Sequence, residues 1–261
     1  MRAIVVGAGI AGLSKRSPLQ FFLLVFLLSV PFWLANAFID LQFVPGVPFS
    51  ALGVVCPVVA ASILIYREAG IGGVTALWKR AFDCRRIRPR FWLLPILLLM
   101  PLATVATYLV MAVSGESPSP PHLPISATIM MFAVYFVAAV CEELGWTGYA
   151  TDALQARHSA LAGSLVLGLV TAAWHWIPLV QIGRSLEWIA WWTIWVVALR
   201  VILVWIYNNA GKSVFAAALF HATSNLASVT FYPYFDPRIT GMVLAVMAVA
   251  AVALLMRTVR A

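Results

Sequence analysis

Eight apolar runs, each close to 20 residues long, follow one another along this chain, and they decide what it can fold into. They lie near residues 19–39, 48–66, 91–113, 126–149, 160–180, 187–207, 213–230 and 239–256. A run of that length crosses the roughly 30 Å hydrocarbon layer of a bilayer as a helix. Inside lipid every backbone N–H and C=O must find its partner within the protein, so only helices and closed barrels span membranes. None of the runs alternates in the manner of a barrel strand. The expected fold is therefore all-α, a polytopic transmembrane helical bundle of about eight spans. Composition agrees, with 63% hydrophobic and 10% charged residues against about 25% charged in a typical soluble domain. The organisation expected is an N-terminal extension over 1–18 and a single transmembrane domain over 19–261.

The basic residues set the orientation. Arg2, Lys15 and Arg16 precede the first run, and seven more crowd the connection between the second and third (Arg67, Lys79, Arg80, Arg85, Arg86, Arg88, Arg90). With Arg157, Lys212, Arg257 and Arg260 they fall on one side of an eight-span bundle, facing only Arg184 and Arg238 on the other. The positive-inside rule then makes both termini cytoplasmic. The net charge of +8 reports this topology, with attraction of anionic headgroups to the 67–90 connection as a side effect. Nucleic acid is not an expected partner, because no soluble basic domain exists to bind it. Cys56, Cys84 and Cys141 form no disulfide framework. The N-terminus reads Gly7-Ala8-Gly9-Ile10-Ala11-Gly12, a full G-x-G-x-x-G. A dinucleotide site also needs a following helix, a second strand and an acid about 20 residues on. Here a membrane span follows and the first acid is Asp40, so no dinucleotide is expected.

Against this background the pair Glu142-Glu143, at the end of the fourth run, stands out. Carboxylates within a span are costly, rare and usually functional. His175 lies in the fifth run, and His221 in the seventh is followed by Asn225 on the same helical face. A carboxylate and an imidazole can take a proton from water, and an imidazole with a carboxamide can donate to a developing oxyanion. Singly, each residue has a plainer reading: a membrane histidine or asparagine commonly bonds a neighbouring helix for about 1 kcal/mol or less. It is the set that points to hydrolysis. Arg200 reads as snorkelling to the interface, Cys141 as a small buried apolar residue, and Asp152, Arg157 and His158 as a solvated turn. Trp174, Trp176 and the Trp188, Trp191, Trp192, Trp195 series read as interfacial belts and packing.

An acidic doublet, a histidine on the next helix and H-x-x-x-N on a later one resemble the CAAX-protease and bacteriocin-processing (CPBP, or Abi) family of intramembrane proteases, the type II CAAX prenyl endopeptidases among them. The resemblance covers roughly residues 90–230. The family pattern E-E-x-x-x-R, F-x-x-x-H and H-x-x-x-N or D is met by Glu142-Glu143, His175, and His221 to Asn225. Thr147 stands where the family usually has arginine, and Thr171 where it usually has phenylalanine. A fixed charge that would keep Glu143 ionised is thereby missing from the motif. The resemblance implies an endopeptidase acting on a membrane-anchored protein or peptide at the cytoplasmic side of a bilayer, the compact basic-inside topology suiting a bacterial plasma membrane. It implies Glu142 as general base, assisted by His175, with His221 and Asn225 holding the oxyanion and Glu143 in support. Two mechanisms fit these residues: water activation without metal, the reading adopted, and zinc held by Glu142, His175 and His221 with one open position.

Two rivals remain on sequence grounds. The same carboxylates and imidazoles could serve a proton-coupled transporter or channel, although the chain shows no inverted repeat of broken spans. A catalytically silent immunity or binding protein would retain the bundle. Depth poses a difficulty for any shared site, because span four runs toward the cytoplasm and span five away from it. Glu142 and His175 meet only if helix four continues past the membrane surface or helix five begins below it.

Overall fold

The structure is a computed structural model and describes residues 16–39, 42–44, 47–115, 124–230 and 237–258. The Gly7 to Gly12 motif lies outside the described residues. Eight long helices account for nearly all of the chain described: α1 Pro18–Ile39, α2 Cys56–Lys79, α3 Leu93–Val113, α4 Ile125–Gly145, α5 Ala160–Gln181, α6 Leu186–Asn209, α7 Val214–Thr230 and α8 Pro237–Thr258. The expected runs and the observed helices coincide in order and nearly in bounds. Six helical segments, those built on α1 to α6, are long and apolar enough to cross a bilayer. At 17 residues α7 sits at the lower end of the length that spans hydrocarbon.

Two differences from the sequence reading affect the site. The second helix does not end at the apolar limit near residue 66. It begins with a 3-10 segment, Phe49–Val55, and runs on to Lys79, bent where Gly70 takes φ +61°. Most of the basic connection is thus helical, because Arg67 and Glu68 end the apolar run but are both compatible with a helix. Glu68 is held by Arg16 at 3.0 Å and by the Tyr149 hydroxyl at 3.1 Å. A short antiparallel ribbon, β1 Gln42–Val44 with β2 Val47–Pro48, joins α1 to this segment, and the sequence reading had no strand there.

The second difference concerns α4. It passes directly into a wide π turn, Trp146–Thr151, and one further α turn, Asp152–Gln155. Helix four therefore continues beyond its apolar run, and α5 starts only at Ala160, capped by the Ser159 hydroxyl accepting from the Ala162 N–H. This resolves the difficulty of depth, since the turn lets Glu142 and His175 reach one level. Pro178 sits inside the last turn of α5, which extends to Gln181.

Packing pins these helices. A Cβ on Gly145 would lie 2.5 Å from the carbonyl oxygen of Pro57, so only glycine allows α4 to lie directly on α2. At Gly168 a Cβ would be 3.0 Å from the Cα of Val197, and α5 and α6 approach closely there. Small residues at such crossings are the usual means of helix association in lipid. One apolar cluster joins α1, α2, α4 and α5 through Phe21, Trp146, Tyr149 and Trp174, where Phe21 meets Trp146 edge-on at 5.3 Å. A second joins α3, α6, α7 and α8 around Ile96, Ile202, Ile206 and Phe220. The polar site lies between the two.

Polar residues fasten one end of the bundle. Arg80 donates to the Gly148 carbonyl (2.9 Å), the Tyr207 hydroxyl (2.8 Å) and the Lys212 carbonyl (3.2 Å). Asp152 accepts from Tyr207 (3.0 Å) and Lys212 (2.8 Å), so the residue read as part of a solvated turn is in fact a tie between α4 and α6. Asp83 accepts from the Ser213 hydroxyl (2.7 Å) and from the Val214 and Phe215 N–H groups (3.3 and 3.0 Å). It satisfies the first donors of α7 in the manner of an N-cap supplied by another segment.

Candidate active site

Successive residues on a helix point about 100° apart, so Glu142 and Glu143 do not share surroundings. Glu143 is fully buried and turned toward α6 and α7. Nη1 of Arg200 donates to both of its oxygens, at 3.0 Å to Oε1 and 2.8 Å to Oε2. The Thr147 hydroxyl, one turn along in the π segment, donates to Oε2 as well. Nδ1 of His221 lies 2.9 Å from Oε1. Three elements therefore converge on one carboxylate. Burying it would be prohibitive without such partners, and π turns of this kind often occur at functional sites.

Glu142 is less firmly held. It is 4% exposed, and the bond that touches it, from Trp146 Nε1, is long at 3.3 Å. Its carboxylate faces a cavity of about 80 Å³ whose polar lining is Glu142, Thr171, His175, Arg200, His221 and Asn225. Trp192, Trp195, Leu199 and Leu203 of α6 form the apolar wall. A cavity of that volume with convergent polar groups has room for several waters.

The two imidazoles are oriented in parallel ways. Nδ1 of His175 lies 2.8 Å from the Thr171 carbonyl; a carbonyl only accepts, so Nδ1 carries the proton and Nε2 is left for other work. Trp174 and Trp192 flank the ring, with centroids at 4.6 and 5.2 Å. His221 is held by the Glu143 carboxylate through the same nitrogen, which again leaves Nε2 available. Thr171, in place of the family's phenylalanine, is buried and bonds the Leu167 carbonyl at 2.8 Å.

Glu142, His175, His221 and Asn225 thus share one cavity, with Glu143 behind it. Among the described residues, however, no three His, Cys, Asp or Glu side chains converge closely enough to hold a metal ion, so the zinc set Glu142, His175 and His221 is not assembled as one. Arg200 does not snorkel to the interface. It is 4% exposed and ion-paired to Glu143, because a carboxylate without water draws the cation inward. The sequence signal was present, a single charge amid the apolar residues of α6, but its partner 57 positions away was not visible. Trp192 and Trp195 likewise line the site and are not confined to an interfacial belt.

A helical membrane bundle with a buried glutamate pair, two oriented imidazoles and a carboxamide around one small polar cavity is the class of protein that fold and site define. Residues 124–227 match the family model described as type II CAAX prenyl endopeptidase Rce1-like, and the resemblance carried by the motifs is borne out. The matched stretch contains all five expected site residues and Arg200. The chain is also similar to CAAX prenyl protease 2 of Methanococcus maripaludis, with 26% identity over 235 residues, which is 81% of this chain and 84% of the relative.

Proposed function

We propose that this protein is an intramembrane endopeptidase that hydrolyses a peptide bond of a membrane-associated protein or peptide near the cytoplasmic face. The observation that carries the reading is the shared cavity: the Glu142 carboxylate faces the same small polar space as His175, His221 and Asn225. Glu142, the less tightly bonded of the pair, takes a proton from a water in that space, and Nε2 of His175 assists as a second acceptor. The hydroxide formed attacks the scissile carbonyl, while Asn225 and the charged, doubly protonated ring of His221, through Nε2–H, donate to the oxyanion. Glu143 accepts from Nδ1–H of His221 and balances its charge, and the proton held by Glu142 passes to the leaving amine. Zinc would have to be held by Glu142, His175 and His221, which do not come together as a ligand set, and no step is routed through it.

Both termini and the basic α2–α3 connection face the cytoplasm by the positive-inside rule, in a plasma membrane of bacterial type. The family descriptions name CAAX prenyl endopeptidases, so the substrate class proposed is a lipid-anchored cytoplasmic tail.

The test is cleavage of membrane-tethered peptides by the purified protein in liposomes. Glu142→Gln, nearly isosteric, should lower turnover at least about a hundredfold while the protein remains folded. Substantial residual cleavage would end the assignment of Glu142 as base. Proton flux in the same liposomes without cleavage would replace a peptidase by a transporter. Stoichiometric zinc whose removal and return switch cleavage off and on would replace the metal-free scheme.

A further inference from the structure

We propose that Arg200 is a positioning residue of this site: it brings from α6 the cation that the family motif places on α4, and fixes Glu143 and, through it, His221. The proposal rests on the proteolytic reading above. Its basis is a pair of positions read together. Four residues after the second glutamate the chain has Thr147 in place of arginine, and Thr147 is fully buried with its hydroxyl on Glu143 Oε2. The guanidinium of Arg200 reaches that same oxygen at 2.8 Å and its neighbour at 3.0 Å. Thr147 therefore supplies a hydrogen bond within α4, and Arg200 supplies the charge from outside it.

The surrounding packing is built for this arrangement. Gly168 of α5 makes room for the start of the Arg200 side chain: a Cβ there would be 3.3 Å from the Cβ of Arg200. The guanidinium, held on one side, leaves Oε1 of Glu143 free to take Nδ1 of His221 as well. Removing the cation leaves a buried carboxylate held only by one hydroxyl and one imidazole, so neither Glu143 nor the His221 ring bonded to it keeps a fixed place at the cavity.

The test is a set of five variants, the Arg200→Ala/Glu143→Gln double among them, measured for cleavage and for thermal unfolding in detergent. Arg200→Ala should lower kcat about 10–100-fold, the range for groups that orient a catalytic residue, with little change in KM and with an altered pH profile. Arg200→Lys, which keeps the charge on a shorter side chain without the planar guanidinium, should fall between and provides the reading if Arg200→Ala does not fold. Thr147→Arg combined with Arg200→Ala should recover most of the lost kcat and the wild-type pH profile, the alanine vacating the space the new guanidinium needs. Arg200→Ala and Glu143→Gln should be strongly non-additive in unfolding. Recovery absent in the double variant, or Arg200→Ala and Arg200→Lys both retaining wild-type kcat and pH profile, would overturn the proposal. If the wild type cleaves nothing yet Arg200 and Glu143 remain coupled in unfolding, the proteolytic reading fails and only the pairing stands. Without that coupling the pairing fails too.

Discussion

Two carboxylate-centred networks in this molecule use the same chemistry to different ends. Within the bundle, Glu143 is surrounded by Arg200, His221 and Thr147, with no route to water for the carboxylate itself. At the end of the bundle, Asp152 meets Tyr207 and Lys212, where the lysine side chain is 49% exposed, and Asp83 serves the start of α7. The end network is held where solvent screens charge and side chains are free to exchange partners. The inner one is held where any lost partner leaves an uncompensated charge. Burial, more than the number of bonds, separates a tie from a site.

The comparison can be broken by mutation, and the largest effect is expected at its centre. Glu143→Gln leaves Arg200 buried without a counter-charge and should destabilise the protein by about 3–5 kcal/mol, as breaking one side of a buried pair does, measured by denaturant unfolding in mixed micelles. Cleavage should fall with it, by less than for Glu142→Gln. Next is Asp83→Ala, which removes the cap of the helix that carries His221 and Asn225; a loss of about 0.5–2 kcal/mol is expected, accompanied by faster amide exchange at Val214 and Phe215. Lys212→Ala should cost about 1 kcal/mol or less, since exposed pairs contribute little, and added salt should erase the difference. Equal losses for Lys212→Ala and Glu143→Gln would show that depth does not set the value of a pair in this bundle.

The parts of this arrangement legible in the sequence are those that depend on local pattern. Helix order follows from apolar runs of span length. Glu142, Glu143, His175, His221 and Asn225 were singled out because polar groups are expensive in hydrocarbon. What stayed hidden depends on the third dimension. Arg200 lies in an apolar run much as a snorkelling residue would, and only the position of α6 beside α4 turns it inward. The π turn is not announced by its sequence, for Gly145 and Gly148 weaken an α-helix without specifying a wider turn. Asp152 looked solvated because the residues around it are polar, and its partners Tyr207 and Lys212 come from another helix.

The volume of the cavity carries a consequence for turnover. On the proteolytic reading proposed above, a space of about 80 Å³ admits the water that hydrolysis would consume and excludes a peptide substrate. A proteolytic cycle must therefore include parting of the walls before chemistry and again at product release, and such steps often limit turnover. The walls are not equally free to move. Gly145 fixes α4 to the backbone of α2, and Asp83 fixes the start of α7, so Glu142, His221 and Asn225 belong to the stationary side. The Arg200–Glu143 pair ties α6 to α4 as well, so on that wall it is the side-chain layer of Trp192 and Trp195 against the cavity, more than the helix, that would part. In kinetic terms bulk on α6 would set how often the site opens, while the groups on α4 and α7 would set what happens once it has.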